Sequence, residues 1–195
     1  MELDKGMMEI DEIIRGRRSV RRYRPDPVPR RLIEEVLELA QWAPSAINRQ
    51  QWHFVVVEGP ARERLAEICG RSVEPLVPHI EQAFPHRPDV VGNLRSFFRT
   101  LGGAPVVIVA FCTAPNPEDS DIQSVAAAVQ TLLLAAHSKG LGTCWMTGPR
   151  FKEPEVNALC GMEGSKLIAV IPMGYPDERP KPAPRQPDRI TYVGT

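Results

Sequence analysis

The chain has 195 residues, 43% of them hydrophobic, which suits one globular domain with a packed core and argues against disorder. Its 24 basic and 24 acidic side chains cancel, so no global field draws it onto nucleic acid or an anionic membrane, and any charge-based recognition is local. Acids at Glu2, Asp4 and Glu9, with no long apolar segment before Arg15, argue against a secretory signal or a membrane span; the expectation is a soluble, cytoplasmic protein.

Between Met8 and Arg15, Ile10, Ile13 and Ile14 recur at helical spacing, and Pro25, Pro27 and Pro29 then mark an extended connector. From Arg30 to Trp42, Leu32, Ile33, Val36, Leu37, Leu39 and Ala40 draw an amphipathic stripe, closed by Pro44, whose ring disfavours helix at Ala43. Trp52 to Val57 is aromatic and β-branched and stops at Gly59-Pro60, so it reads as a strand, followed by a helix over Ala61 to Cys69. Between Gly70 and Gly103, Pro75, Pro78, Pro85 and Pro88 break any long element. The segment 70–103 therefore reads as a loosely ordered lid or binding stretch, with Phe97 and Phe98 packed on the core rather than lining a pocket.

Pro105 to Cys112 holds Val106, Val107, Ile108, Val109 and Phe111 without alternation, as in a central strand covered on both faces. Ile122 to Lys139, rich in Ala and Leu and stopped by Gly140, predicts a buried helix of the core or of a dimer interface. Leu167 to Met173 is another buried strand. Gly174-Tyr175-Pro176 then opens an arm with prolines at 176, 180, 182, 184 and 187, which cannot bury its own backbone. Such an arm suits a partner subunit's surface, with Ile190 to Val193 available to extend that partner's sheet.

Arg15, Arg17, Arg18, Arg21, Arg22 and Arg24 crowd around Ser19, and guanidinium forks beside a hydroxyl suit a phosphate. A solvated basic turn, or a basic arm on nucleic acid, would carry the same composition. The loop Ala43 to Trp52 offers small and amide side chains to a flat heterocycle, and the glycines of Gly140 to Gly148 let backbone N–H groups approach a ligand; a structural turn explains the latter equally well. There is no dinucleotide fingerprint, phosphate-loop, zinc-protease or nucleophile-elbow motif. His53 and His137 read as hydrogen-bonded structural residues. Cys69, Cys112, Cys144 and Cys160 lack ligand spacing, so reduced thiols are expected and a metal site is not.

Taken in order, Arg17-Arg18-Ser19-Val20-Arg21, then Ala43-Pro44-Ser45-Ala46-Ile47-Asn48-Arg49-Gln50-Gln51-Trp52, then Gly140-Leu141-Gly142-Thr143-Cys144-Trp145, then Ile171-Pro172-Met173-Gly174-Tyr175-Pro176 resemble the nitroreductase family over nearly the whole chain. The resemblance implies a single α+β domain over 1–195, with a mostly antiparallel sheet flanked by helices. It also implies a homodimer with two FMN molecules at the interface and the arm 174–195 exchanged onto the partner.

By the family pattern Arg17, Arg18 and Ser19 would hold the FMN phosphate, Arg21 would face the pyrimidine edge, and Arg185 would close over the phosphate. Pro44, Ser45, Ala46 and Asn48 would reach the flavin from the other subunit. Trp145, Met146, Thr147 and Gly148 would lie against the isoalloxazine, with a backbone N–H of Thr147 or Gly148 aimed at N5. The implied activity is hydride transfer from NADH or NADPH through FMN to a small acceptor, such as a nitroaromatic or quinone, by ping-pong kinetics without a protein acid or base. Relatives also carry out reductive dehalogenation, azoline oxidation or fragmentation of the flavin. Two departures stand out: Gln51 replaces a usual proline, and Ala183 stands where the arm often has a lysine, leaving Lys181 or Arg179 as substitutes.

Overall fold

The unalternating apolar run becomes the interior strand of the sheet. In the computed structural model, which describes residues 9–194, the helices and strands in chain order are α1 (Ile10–Gly16), α2 (Arg30–Ala40), β1 (Trp52–Val57), α3 (Gly59–Arg71), α4 (Val77–Ala83), α5 (Pro88–Thr100), β2 (Val106–Cys112), α6 (Asp119–Ser138), β3 (Gly142–Thr143), α7 (Glu153–Cys160) and β4 (Lys166–Gly174). The strands form one sheet in the order β1-β2-β4-β3, with every neighbouring pair antiparallel. The architecture is thus α+β, as expected. Met8, placed in the first helix from sequence, lies outside the described residues.

Each face of β2 supports its own core. Val106, Ile108, Ala110 and Cys112 meet α2 and α6 through Ile33, Val36, Leu132 and Ala136. Val107, Val109 and Phe111 meet α3 and α5 through Leu65, Cys69, Phe97 and Phe98. With both faces buried, no polar residue is selected at every second position, and alternation disappears. The β2–β4 register slips between Ala110 and Phe111. This bulge lets Ile168 and its neighbour Ala169 both enter the first core, while Leu167 and Val170 stay in the second.

The segment 70–103 differs from expectation. It forms α4 and α5 rather than a loosely ordered stretch, because Pro75, Pro78 and Pro88 stand in the first turns of helical segments, where a missing N–H costs nothing. α5 ends on Leu101 in a left-handed conformation (φ 52°), and Phe97 and Phe98 meet edge to face within the second core. The helix α6 buries Val125, Ala128, Val129 and Leu132, yet Gln123 and Gln130 stay exposed, so it is a half-buried helix in the single chain. After β4 the described chain forms no further helix or named strand, and residues 181–194 are exposed throughout. Among the described residues no helix is long and apolar enough to cross a membrane.

Candidate functional site

The arginine-rich segment is held on both sides by backbone. Val20 N–H donates to the Thr143 carbonyl of β3 at 2.9 Å, and Ser19 bridges Thr143 in parallel sense. Further along, Tyr23 N–H donates to the Gly102 carbonyl at 3.0 Å, Arg24 N–H to Tyr175 at 2.9 Å, and the Asp177 N–H returns to Arg22 at 2.9 Å. Val20 and Tyr23 anchor the strip in the second core. Gly142 is required here, since a Cβ at that position would stand 2.9 Å from three carbon atoms of Val20. Gly102, at φ +66°, would bring a Cβ within 2.2 Å of the Arg21 carbonyl oxygen.

This fixation leaves the guanidinium groups distinct fates. Arg15 pairs with Asp11, Arg22 with Glu178, and Arg24 with Asp26 while lying over the Tyr175 ring. Arg18 Nη1 donates to the carbonyls of Arg15 and Arg17 at 2.6 and 2.8 Å. Arg21 Nη1 reaches the Ser19 carbonyl at 3.4 Å, and its backbone N–H is held by Glu178 at 2.5 Å. The Arg17 side chain makes no hydrogen bond or ion pair among the described residues.

Arg17 and Arg18 line a cavity of about 500 Å³ whose walls include Gly142, His137 and Arg179. For half-buried His137 the sequence predicts a hydrogen-bonded structural role. Instead its Nε2 is buried without a partner among the described residues. Burial, followed by the nearby Arg17 and Arg18 charges, holds its imidazole below the ordinary value. Nothing in the local sequence marked it, because its neighbours on the cavity are distant along the chain. Arg179, considered from sequence only as a substitute, lines the same wall, whereas Arg185 is exposed further along the arm and does not.

Pro44, Ser45, Ala46 and Asn48 do not line this cavity. They stand on the α2–β1 loop, which α6 secures through Ser124 Oγ, accepting the Ala46 N–H at 3.1 Å, while within the loop Ser45 Oγ accepts the Gln50 N–H at 3.1 Å. Ile47, Asn48 and Gln50 all take positive φ, and Ile47, a β-branched residue for which this is costly, is 88% exposed. Arg49 and Gln51 both bind the buried carboxylate of Asp121, Gln51 at 2.7 Å. The departure from proline at Gln51 thus supplies a donor to a buried acid.

The stretch after β3 divides by side-chain direction. Met146 pairs by backbone with Val170, 3.0 Å in each sense, and its side chain is buried in the second core. Both its backbone groups are thus spent on β4, and the positions after it carry the turn's free backbone. Trp145 Nε1 is buried without an acceptor among the described residues, Thr147 is exposed, and Gly148 lies under α5, where a Cβ would meet Leu76 at 2.6 Å and Phe98 at 2.7 Å. Burial raises the Cys144 thiol above its ordinary value, with Arg21 opposing it. The Tyr23 phenol is raised well above its range, chiefly by burial. Neither is a ready base.

In this antiparallel α+β fold the N-terminal arginines join a glycine-walled cavity that offers, among the described residues, an unpaired guanidinium and an unpartnered imidazole nitrogen, groups whose chemistry suits an anionic ligand. The nitroreductase family profile matches residues 14–175. Nitroreductase NfnB of Mycolicibacterium smegmatis is 33% identical over 202 residues, 86% of this chain and 83% of that protein. An iodotyrosine deiodinase of Thermotoga neapolitana is 31% identical, covering 95% and 98% of the two chains. The crystal structure of the FMN-dependent nitroreductase NfnB from Mycobacterium smegmatis in complex with NADPH superposes with a TM-score of 0.73 at 28% identity, over 93% of this chain and 97% of that one. The chain belongs to the nitroreductase family.

Proposed function

We propose that this protein is an FMN-dependent NAD(P)H oxidoreductase that takes hydride from a reduced nicotinamide and reduces a small acceptor such as a nitroaromatic or quinone. Family membership supports the enzyme class and the cofactor. The observation that carries the reading is the seam between Ser19-Val20 and Thr143, which joins the arginine segment and the glycine-rich turn in one cavity.

In this reading Arg17, Arg18 and Ser19 hold the FMN phosphate, and Arg179 contributes from the arm side. Arg185 is kept for the assembled dimer, in which the arm crosses to the partner. The Arg21 guanidinium faces the pyrimidine edge and stabilises negative charge that develops there. FMN, when bound, would supply the redox chemistry, and these residues would hold and orient it. Trp145, Met146, Thr147 and Gly148 back the ring system, and the packing of Gly148 under Leu76 and Phe98 keeps the backbone N–H of that turn in one orientation. Pro44, Ser45, Ala46 and Asn48 reach the flavin from the second subunit; like Ser19, Arg21 and the stretch 145–148, they do not line the cavity of a single chain.

The test is an anaerobic visible spectrum of the FMN-reconstituted protein, titrated with NADH and NADPH and then with acceptor. Bleaching by nicotinamide and recovery with nitroaromatic or quinone is expected, with parallel double-reciprocal plots. Flavin that binds but resists both nucleotides would refute the NAD(P)H assignment. The near full-length similarity to an iodotyrosine deiodinase favours a second reading, reductive dehalogenation, in which a halotyrosine and not a nitroaromatic restores the oxidised spectrum. The homodimer predicts a sedimentation mass of two chains, and a flavin-loaded monomer would refute it.

A further inference from the structure

We propose that His137 donates a hydrogen bond from Nδ1 to the phosphate of the cofactor, making it a third phosphate-site contact beside Arg17 and Arg18. The inference rests on the FMN reading above. His137 stands in the last turn of α6, close to the arginine segment in space and 120 positions from Arg17 in sequence. Its Nε2 is closed against Gly16, where a Cβ would stand only 2.8 Å away, and has no partner among the described residues. A proton on Nε2 would be a buried donor with nothing to accept it, so the neutral ring keeps its proton on Nδ1. Nδ1 also lacks a protein partner among the described residues and is the nitrogen left for the cavity that the ring lines.

The surrounding charges favour this neutral donor over an imidazolium. Arg17 and Arg18 lie beside the ring and oppose its protonation. On α1, Arg15 is paired with Asp11; at the C-cap of α6, Lys139 is paired with Glu35. Across the cavity, the Glu178 carboxylate is engaged by Arg21 N–H and Arg22, while exposed Arg179 adds another cation. A dianionic phosphate entering here meets the Arg17 guanidinium, which has no other partner among the described residues, and a neutral N–H that adds direction without adding to the repulsion between cations.

The full chain, freed of flavin and titrated by fluorescence quenching, separates this role from a structural one by comparing FMN with riboflavin, which lacks the phosphate. His137→Leu is expected to weaken FMN about tenfold, the loss of one hydrogen bond to a charged group, and to leave riboflavin affinity unchanged. His137→Asn, whose amide nitrogen stands near the original Nδ1, should stay within about threefold of wild type. Equal losses for both ligands in His137→Leu, or unchanged FMN affinity there while Arg17→Ala loses it, would overturn the proposal. Full FMN affinity in Arg17→Ala would overturn the phosphate reading of the cavity, and this proposal with it. Imidazole ¹⁵N shifts in unmutated protein give an independent readout: an Nδ1–H signal that moves with FMN but not riboflavin supports the contact, and an Nε2–H tautomer refutes it.

Discussion

Replacing Asp121 by Ala tests whether the strained α2–β1 loop is held by one buried acid. Asp121 is 1% exposed in the first turn of α6 and accepts from the Gln51 amide at 2.7 Å, from the Arg49 guanidinium, and from the Glu118 N–H at 3.0 Å as part of a capping box. A buried hydrogen bond to a charged group contributes about 1.5–3 kcal/mol, with the stranded Gln51 amide at the upper end. Arg49 is 44% exposed, so its pairing contributes roughly 1 kcal/mol or less, and loss of the cap costs about 1 kcal/mol. The expected destabilisation is roughly 3–5 kcal/mol for Asp121→Ala and about 1–2 kcal/mol for Asp121→Asn, which keeps one acceptor oxygen but not the charge. Urea unfolding followed by tryptophan fluorescence would read this as a fall in midpoint at constant slope. A loss below about 1 kcal/mol for the Ala variant would refute the reasoning. Since Arg49 and Gln51 flank the residues proposed to meet the flavin from the partner, FMN affinity should fall as well.

Gly148→Ala drives a Cβ against Leu76 and the Phe98 ring and should cost about 1–3 kcal/mol by overpacking; an unchanged melting temperature would mean that α4 and α5 are not fixed on this turn. Arg17→Ala and Arg21→Ala together should lower FMN occupancy, seen as flavin absorbance per protein, without loss of far-ultraviolet dichroism. Unchanged occupancy would remove the phosphate and pyrimidine assignments. The depressed His137 value also has a sign: the unfolded chain binds the proton first, so stability held above the ordinary value of about 6.5 declines as pH falls below it. Comparing midpoints at pH 7 and pH 5, His137→Leu should show a smaller decline than wild type; an equal decline would mean that other groups carry it.

The strongly patterned elements were legible from local chemistry. The stripe from Leu32 to Ala40 and the β-branched runs at 52–57 and 106–112 each carry their periodicity within a few residues. The error at 70–103 came from reading proline as a breaker in every position, although at the first turn it is compatible with a helix. The two-residue strand β3 is too short to carry any period, and it was visible only as glycines.

For the site, the residue types and their order along the chain were enough to suggest a phosphate-bearing flavin ligand and the family, because guanidinium runs and glycine-rich turns act through chemistry intrinsic to those residues. Which guanidinium is free and which is spent on a carboxylate or a carbonyl was decided by the fold, through partners such as Glu178 that lie far away in sequence. The same holds for His137 and Asp121. Each looks ordinary on its own helix, and acquires a role only because the tertiary structure brings Gly16 and Arg17 to one end of α6 and Arg49 and Gln51 to the other. Burial and long-range pairing are properties of the packed chain, and no window of neighbouring residues encodes them.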